Sequence, residues 1–490
     1  MSLPPVSSSS RRWWTLAVMS IASLMVVLDA TVINIALPRA QLALSFSIAN
    51  RQWVITAYAL AFGSLLLLGG RMSDLWGRRN ALYIGLAGFA VASAFGGAAH
   101  SFSMLVTARA VQGCFGAILA PAALATLTTT FQDPKERAKA FSIFGAISAS
   151  GAAIGLLLGG ALTQWASWRW CLFINLFFAA IALIGVIIFV APGKSEGHTR
   201  LDVLGTLLGS GGLFFVVYGL SHAVSTSWSD DITWGSLVIG AALLYLFVQW
   251  QRRSKFPLLP LRLVMNRTRG GSLIALFITS IAVFGIFLFL AYYLQTTLGY
   301  SPLRTGVAFM PLVFAIAFSA SLASARLLAK VGPRPLVPAG MLLGMMGAVL
   351  FTRLTTHADY VGHVLPGLVV TGLGLGLIFA PATASATAAI RASDAGAASA
   401  MVNTTQQIGG SVGTSLLNTI AVSATMNALR HSHPPLRGAA AAAYKTQAVL
   451  HGYATAFWYS AVFFGLGALA SFILLESGVP DLEGDLVALP

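Results

Sequence analysis

The chain has 490 residues, 57% of them hydrophobic, and only 9% carry charge, with 29 Lys+Arg against 14 Asp+Glu. Average soluble domains hold roughly 25% charged residues, which excludes an ordinary soluble enzyme, and a disordered chain needs low hydrophobicity with high charge. The net charge of +15 is read as orientation in a bilayer and not as nucleic-acid binding, because the basic residues occupy short segments between apolar runs. Those runs are continuous and about 20 residues long, enough for the ~30 Å hydrocarbon core and unlike the alternating strands of a β-barrel. The expected fold class is an all-α polytopic membrane protein.

In chain order the apolar segments fall near 14–37, 53–70, 80–99, 103–130, 138–162 and 170–191. Two more follow near 201–222 and 233–251. The last set lies near 270–298, 305–329, 335–354, 361–389, 397–425 and 454–475, about fourteen in all. The first follows Arg11 and Arg12, is too long for a signal-peptide core and lacks a small-residue cleavage site, so it is a retained helix. An even number of crossings puts both termini on one side. With the N-terminus inside, inner segments hold Arg71, Arg78, Arg79, Lys135, Arg137, Lys139 and the basic stretch from Arg252 to Arg269. Outer loops hold only Arg39, Arg51, Arg169, Arg304, Arg353, Arg430, Arg437 and Lys445. That bias predicts that both termini lie on the cytoplasmic side.

Two inner loops repeat. Gly70-Arg71-Met72-Ser73-Asp74-Leu75-Trp76-Gly77-Arg78-Arg79 matches the segment from Ala325 to Arg334 at Arg71/Arg326, Gly77/Gly332 and Arg79/Arg334. Their separation leaves room for six helices and two inserted ones. The expected organisation is a six-helix bundle over 1–192, two inserted helices with a basic connection over 193–265, a second six-helix bundle over 266–475, and a short acidic tail over 476–490. Parallel repeats of this kind mark transporters that rock one bundle against another.

A charge at the bilayer centre costs about 2.5–3.5 kcal/mol on insertion scales, so intramembrane charges are functional candidates. Of the acids only Asp29 lies deep within a span, about 22 Å along the first helix from Trp14 at 1.5 Å per residue. Arg109 is the one basic residue comparably placed. Asp29 is expected to take up and release a proton, with Arg109 tuning it; contact between them does not follow from the sequence. This role requires the carboxyl group to reach a central opening. Arg109, Gln112, Gly113 and Gly116 share one helix face, and glycines beside polar groups suit close helix approach. Gly151, Gly155 and Gly159, with Gly160 adjacent, form a similar ridge in the fifth span. Asn403, Gln407, Ser411, Thr414 and Asn418 make a polar stripe along the thirteenth. With Asn34, Trp53, Tyr58, Tyr292 and Gln295, the stripe residues Asn403 and Gln407 are candidates for lining a substrate cavity.

Other chemistry is missing. Gly193-Lys194-Ser195 lacks the earlier glycine of a phosphate loop, since that position holds Ile188. Gly409-Gly410-Ser411-Val412-Gly413 has the nucleophile-elbow spacing without its strand context. Cys114 and Cys171 define neither a disulfide framework nor a metal site. The eight histidines fall in loops or span edges, where even His431 and His433 read as solvated. No metal, cofactor or catalytic cluster is expected, which leaves an ion gradient, with H+ as coupling ion, to drive any uphill work.

The segments resemble the major facilitator superfamily, in particular its fourteen-span drug:proton antiporter group, over nearly the whole chain. Leu28-Asp29-Ala30-Thr31-Val32-Ile33-Asn34 through Pro38 is similar to that group's first-helix signature, and Gln52-Trp53-Val54-Ile55-Thr56-Ala57-Tyr58 to its second. Gly70, Asp74, Gly77, Arg78 and Arg79 match the inner-loop gating motif, in which Asp74 and the arginines latch the bundles together. Arg109-Ala110-Val111-Gln112-Gly113 matches the fourth-helix motif associated with proton transfer. Trp168-Arg169-Trp170 with Asn175, Leu298-Gly299-Tyr300-Ser301-Pro302, and Asn403-Thr404 with Gln407 look like further signatures. Two positions depart from the pattern: Gly155 is followed by Leu156 where the antiporter motif has proline, and Phe177 stands where proline is common. A leucine restores a backbone donor and reduces a kink. The resemblance implies two six-helix bundles with two linker helices, and efflux of small amphipathic drugs by proton antiport in a monomer embedded in lipid. The alternatives are a facilitator of lipids or metabolites, and a non-transporting membrane sensor or scaffold.

Overall fold

The computed structural model describes residues 8–47, 50–131, 133–190, 202–225, 228–254, 257, 264–323, 327–388, 395–430 and 438–476. Every long apolar run is helical, as lipid requires of a backbone that must satisfy its own hydrogen bonds. The first group comprises α1 (Ser8–Leu44), α2 (Gln52–Trp76), α3 (Arg78–Gly97), α4 (Phe102–Thr130), α5 (Pro134–Trp165) and α6 (Trp170–Phe189). An intervening pair follows, α7 (Val203–Ser225) and α8 (Asp231–Arg253). The second group begins with α9 (Arg267–Tyr292), continued by a π-turn (Tyr293–Thr297), and by α10 (Pro302–Ala308) and α11 (Met310–Leu322). A short α12 (Leu328–Val331) precedes α13 (Pro333–Phe351), a second π-turn (Tyr360–Val364) leads into α14 (Leu365–Ala386), and α15 (Ala395–Arg430) and α16 (Gly438–Leu474) complete the chain.

Among the described residues, eleven helical segments are long and apolar enough to cross a membrane, and Gln52–Leu66 and Ala153–Trp165 are shorter apolar stretches. The polar stripe keeps α15 out of that set. The helices overrun the hydropathy segments: α1 continues to Leu44, α15 to Arg430, and α16 starts at Gly438 instead of near 454. Hydropathy registers the part that suits lipid, whereas a helix continues as long as its backbone ladder does. The expected segment near 305–329 is divided at Phe309, because Pro311 in the first turn of α11 has no backbone donor to offer α10.

The packing repeats. In the first group α1 lies against α5 and α6, α4 against α2 and α3, and α3 against α6. In the second, α9 lies against α15 and α16, α14 against α11 and α13, and α13 against α16. The two sequence copies also bend alike: Gly77 (φ 81°) separates α2 from α3, and Gly332 (φ 70°) separates α12 from α13. Positive φ at both positions is a conformation suited to glycine. Thus the expected gating loop is mostly helix, with Gly70 and Asp74 inside α2 and Gly77 as the corner. Arg326, Lys194, His431, His433 and the tail beyond residue 476 lie outside the described residues.

The groups meet along two related seams, α2 on α15 and α5 on α10. The pair α7–α8 leans on α2 and α15: Ser210 Oγ donates to the Ser64 carbonyl at 3.0 Å, and Thr419 Oγ1 to that of Leu220 at 3.3 Å. Asp202 ties the pair together, accepting from Gly205 N (2.9 Å), Trp250 Nε1 (2.6 Å) and Gln251 Nε2 (2.7 Å). We call the end of the molecule carrying the α1–α2 connection the first-loop face, and the opposite end the terminal face.

Candidate functional site: a buried acid network and a closed seam

Asp29, on α1, and Arg109, on α4, are each 1% exposed and in direct contact, Arg109 Nη1 donating to Asp29 Oδ2 at 2.5 Å. The other carboxylate oxygen accepts from Gln112 Nε2 (3.1 Å) and from Asn175 Nδ2 on α6 (2.7 Å). Ser93 Oγ on α3 receives the same two amides at 2.7 and 3.3 Å. Arg109 is further engaged by the Gln112 carbonyl oxygen (3.0 Å), by the Val54 carbonyl (Nε, 3.2 Å) and by the Tyr58 ring, 4.4 Å from its centroid. Five helices therefore converge on one ion pair. Low dielectric strengthens each charge-assisted bond, and also makes the loss of any one costly.

Glycines set this convergence. A Cβ at Gly113 would strike the Tyr58 carbonyl and lie 2.9 Å from Ala61 Cβ, and one at Gly116 would lie 2.9 Å from the Phe62 ring, so α4 rides directly on α2. Gly151, Gly155 and Gly159 do the same for α5 on α1. Their Cβ positions meet Leu24 and Val27, then Thr31 Oγ1 and the Leu28 carbonyl, then the Val32 backbone. The expected glycine ridge thus packs against the helix turns around Asp29. Gly160 faces the second group instead: a Cβ there would lie 2.7 Å from Leu303 Cα and from the Pro302 carbonyl oxygen, at the first-loop face. Helix α5 runs unbroken past Leu156, whose carbonyl abuts Gly306 of α10.

The carboxylate of Asp29 does not open onto a central cavity in this conformation: its side chain is fully enclosed. That corrects the expectation of access, and the reason is the density of donors, which fill the space a water channel would need.

The cavity candidates do not share one place. Tyr58 belongs to the acid network. Tyr292 and Gln295 belong to the seam at the first-loop face, where Tyr292 donates to Gln41 Oε1 (2.5 Å) and Gln295 Nε2 to the Ile35 carbonyl (3.0 Å). Gln407 packs its Cβ toward Gly63, Trp53 turns toward Tyr218 on α7, Asn34 bonds back to the Ala30 carbonyl at 3.2 Å, and Asn403 is exposed. None of the seven lines the cavity of about 430 Å³ that lies between α2, α7, α8, α9 and α15, where Ser64, Leu68, Ser210, Phe247, Phe277 and Thr404 form part of the wall. In the inner-loop motif, Arg79 stays within the first group, donating to Tyr83 OH (3.3 Å) and the Ile187 carbonyl of α6 (3.0 Å). Among the described residues it makes no bridge to the second group.

Arg51, counted as an outer-loop charge, is instead 1% exposed at the start of α2. Its Nε donates to Asn418 Oδ1 (3.1 Å) and its Nη1 to Tyr453 OH (3.5 Å), and the Tyr292, Phe289 and Tyr453 rings surround it at 4.4, 5.4 and 5.7 Å. Asn418 Nδ2 also donates to Gln52 Oε1 at 2.7 Å, and Leu303 N to Gln164 Oε1 at 3.3 Å. With the Tyr292 and Gln295 bonds, these contacts cross between the two groups at the first-loop face.

Two repeated helix groups, one enclosing an ion pair and both joined at one face, are the arrangement of membrane transporters built from parallel repeats. The chain belongs to the Major Facilitator Superfamily, whose family model matches residues 19–414, and it is a transporter and not an enzyme. It is 46% identical to the puromycin resistance protein pur8 of Streptomyces alboniger, over 97% of this chain and 95% of that relative. It is 35% identical to the cephamycin export protein CmcT of Amycolatopsis lactamdurans, over 86% and 87% of the two chains. The tetracenomycin C resistance and export protein of Streptomyces glaucescens is 31% identical, over 86% and 78%. Among solved structures, an inward-facing bacterial homolog of the human lysosomal transporter Spinster shares the fold, with a TM-score of 0.64 at 17% identity over 95% of this chain and 97% of that one.

Proposed function

We propose that this protein exports small amphipathic compounds of the antibiotic or drug class by proton antiport with alternating access. It works as a fourteen-span monomer in a bacterial plasma membrane, with both termini cytoplasmic. The observation that carries the reading is the enclosed Asp29–Arg109 pair, a costly arrangement within a membrane helix group. The export and resistance roles printed for the relatives support the cargo class.

In this reading, protonation of Asp29 removes the charge that holds Arg109. The guanidinium is not stranded, because the Val54 carbonyl, the Gln112 oxygen and the Tyr58 ring remain beside it. The new carboxyl O–H has a receiver too: Asn175 Oδ1 is buried without a partner, and rotation of that amide presents it to Asp29. Each protonation state therefore has its own satisfied network, and they differ in how tightly α4 is drawn to α1. Proton exchange with water belongs to a second conformation in which these helices part. One charge moved across 100 mV is worth about 2.3 kcal/mol, roughly a fiftyfold concentration ratio. Residues 302–322 contain no acid, which favours neutral, zwitterionic or singly charged cargo over dications.

Facilitated movement of a lipid or metabolite is the second reading, favoured by Leu156 within a continuous α5 that has no proline beyond its first turn. Substrate addition to acid-loaded everted vesicles separates the two, with a protonophore control. Antiport raises the lumenal pH on adding puromycin or another relative's compound, whereas facilitation leaves it unchanged.

A further inference from the structure

Arg51 is a charge in an odd position. Among the described residues no carboxylate lies within the 4.0 Å of an ion pair to it. It precedes the first turn of α2, where the free backbone N–H groups already present positive charge. The neighbouring side chain adds another donor without an acceptor, Gln52 Nε2. Among the described residues, both side-chain acceptors of the guanidinium and all three rings over it come from the second helix group: Asn418 on α15, Tyr453 on α16, Phe289 and Tyr292 on α9. Rings and neutral acceptors attract the cation, but dehydration without a counter-ion and the helix dipole oppose them. Removing a charge from water generally costs more than such partners return.

We infer that Arg51 is a gate spring: closing the first-loop face forces its guanidinium out of water, opening returns it, and the aromatic cage sets how firmly the closed state holds. A bolt would have its bonds favour closure; here the charge itself favours opening. Helix α2 connects the spring to the acid network. The Arg51 carbonyl accepts from Val54 N at 3.4 Å, and the Val54 carbonyl accepts Arg109 Nε at 3.2 Å. A displacement of the start of α2 is thereby felt by Arg109. This inference rests on the alternating-access reading above.

The test uses the full chain in liposomes, with Cys114→Ser and Cys171→Ser. Spin labels are attached through Leu42→Cys and Val361→Cys, exposed positions (76% and 66%) on opposite groups at the first-loop face. Pulsed dipolar spectroscopy then reads the gate distance. Arg51→Met should raise the closed-to-open ratio about fivefold, because the charge is gone and the stem remains. Tyr453→Leu and Asn418→Ala, which keep the charge and remove its partners, should each shift the ratio toward open. Arg51→Met combined with Tyr453→Leu should return to the Arg51→Met distribution. An open shift in Arg51→Met, as a bolt would give, overturns the spring, as does a distribution that no variant changes. If Arg51→Met does not fold, Asn418→Ala decides: a closed or unchanged gate overturns the inference. Proton-coupled efflux is measured separately on the unlabelled protein, so its absence alongside a responsive gate would reject the exporter reading and leave the spring standing.

Discussion

Asp29→Asn keeps the shape of the side chain and deletes its charge, which isolates the ion pair from the rest of the network. The partners are 2.5 Å apart and enclosed. With charge centres about 4 Å apart and an effective dielectric near 20, the direct attraction is about 4 kcal/mol. Removing one partner of a buried pair costs about 3–5 kcal/mol, because the other charge is left uncompensated. Arg109 retains a carbonyl, an amide oxygen and a ring, so the lower end, about 3 kcal/mol, is expected. In detergent this lowers Tm by about 3–6 °C, less per kcal/mol than for smaller domains. Adding Arg109→Met to Asp29→Asn should recover most of that loss. The single variant should insert normally and lose uphill efflux. Melting curves on the two single variants and the double one complete the cycle. Equal active efflux by Asp29→Asn at matched surface expression would reject the coupling role, and an unchanged Tm would refute the stranded-charge reasoning.

Gly155→Val should reduce turnover at least tenfold while leaving insertion intact, because its side chain would displace Thr31 and the Leu28 carbonyl next to Asp29; wild-type turnover in a vesicle flux assay would contradict this. Asp202→Ala should loosen α7 from α8 by removing the acceptor of Gly205, Trp250 and Gln251. A lost cap alone costs about 0.5–2 kcal/mol, so faster hydrogen exchange over 203–253 is expected, and unchanged exchange would count against the staple. At the first-loop face, the Gly362 backbone N–H and then His363 hold the exposed Asp359 carboxyl below its ordinary range. A depressed carboxylate stabilises the folded chain above its unfolded pKa and loses that contribution as pH falls through the folded value. The small Tm advantage over Asp359→Asn should therefore be present at pH 6 and shrink as the solution is acidified through the carboxylate range; an advantage that grows in acid would reverse the assignment.

Sequence alone determined the parts that depend on local composition. Continuous apolar runs dictate helices because lipid offers the backbone no partners. The intramembrane charges stand out for the same reason, so Asp29 and Arg109 were visible as candidates before their contact was known. The repeated Gly77 and Gly332 announced two similar halves. Tertiary structure decided the rest, because helix rotation and the spacing between helices determine which polar groups meet. Hydropathy carries no record of either. Asn175 was legible as the polar residue within the sixth apolar run, but not as a second donor to Asp29, and Ser93 carried no signal at all. Arg51 shows the difference most sharply. By composition it sits at the end of an apolar segment and reads as a loop charge facing water. The second helix group closes over that end with three aromatic rings, and an ordinary surface arginine becomes a dehydrated cation.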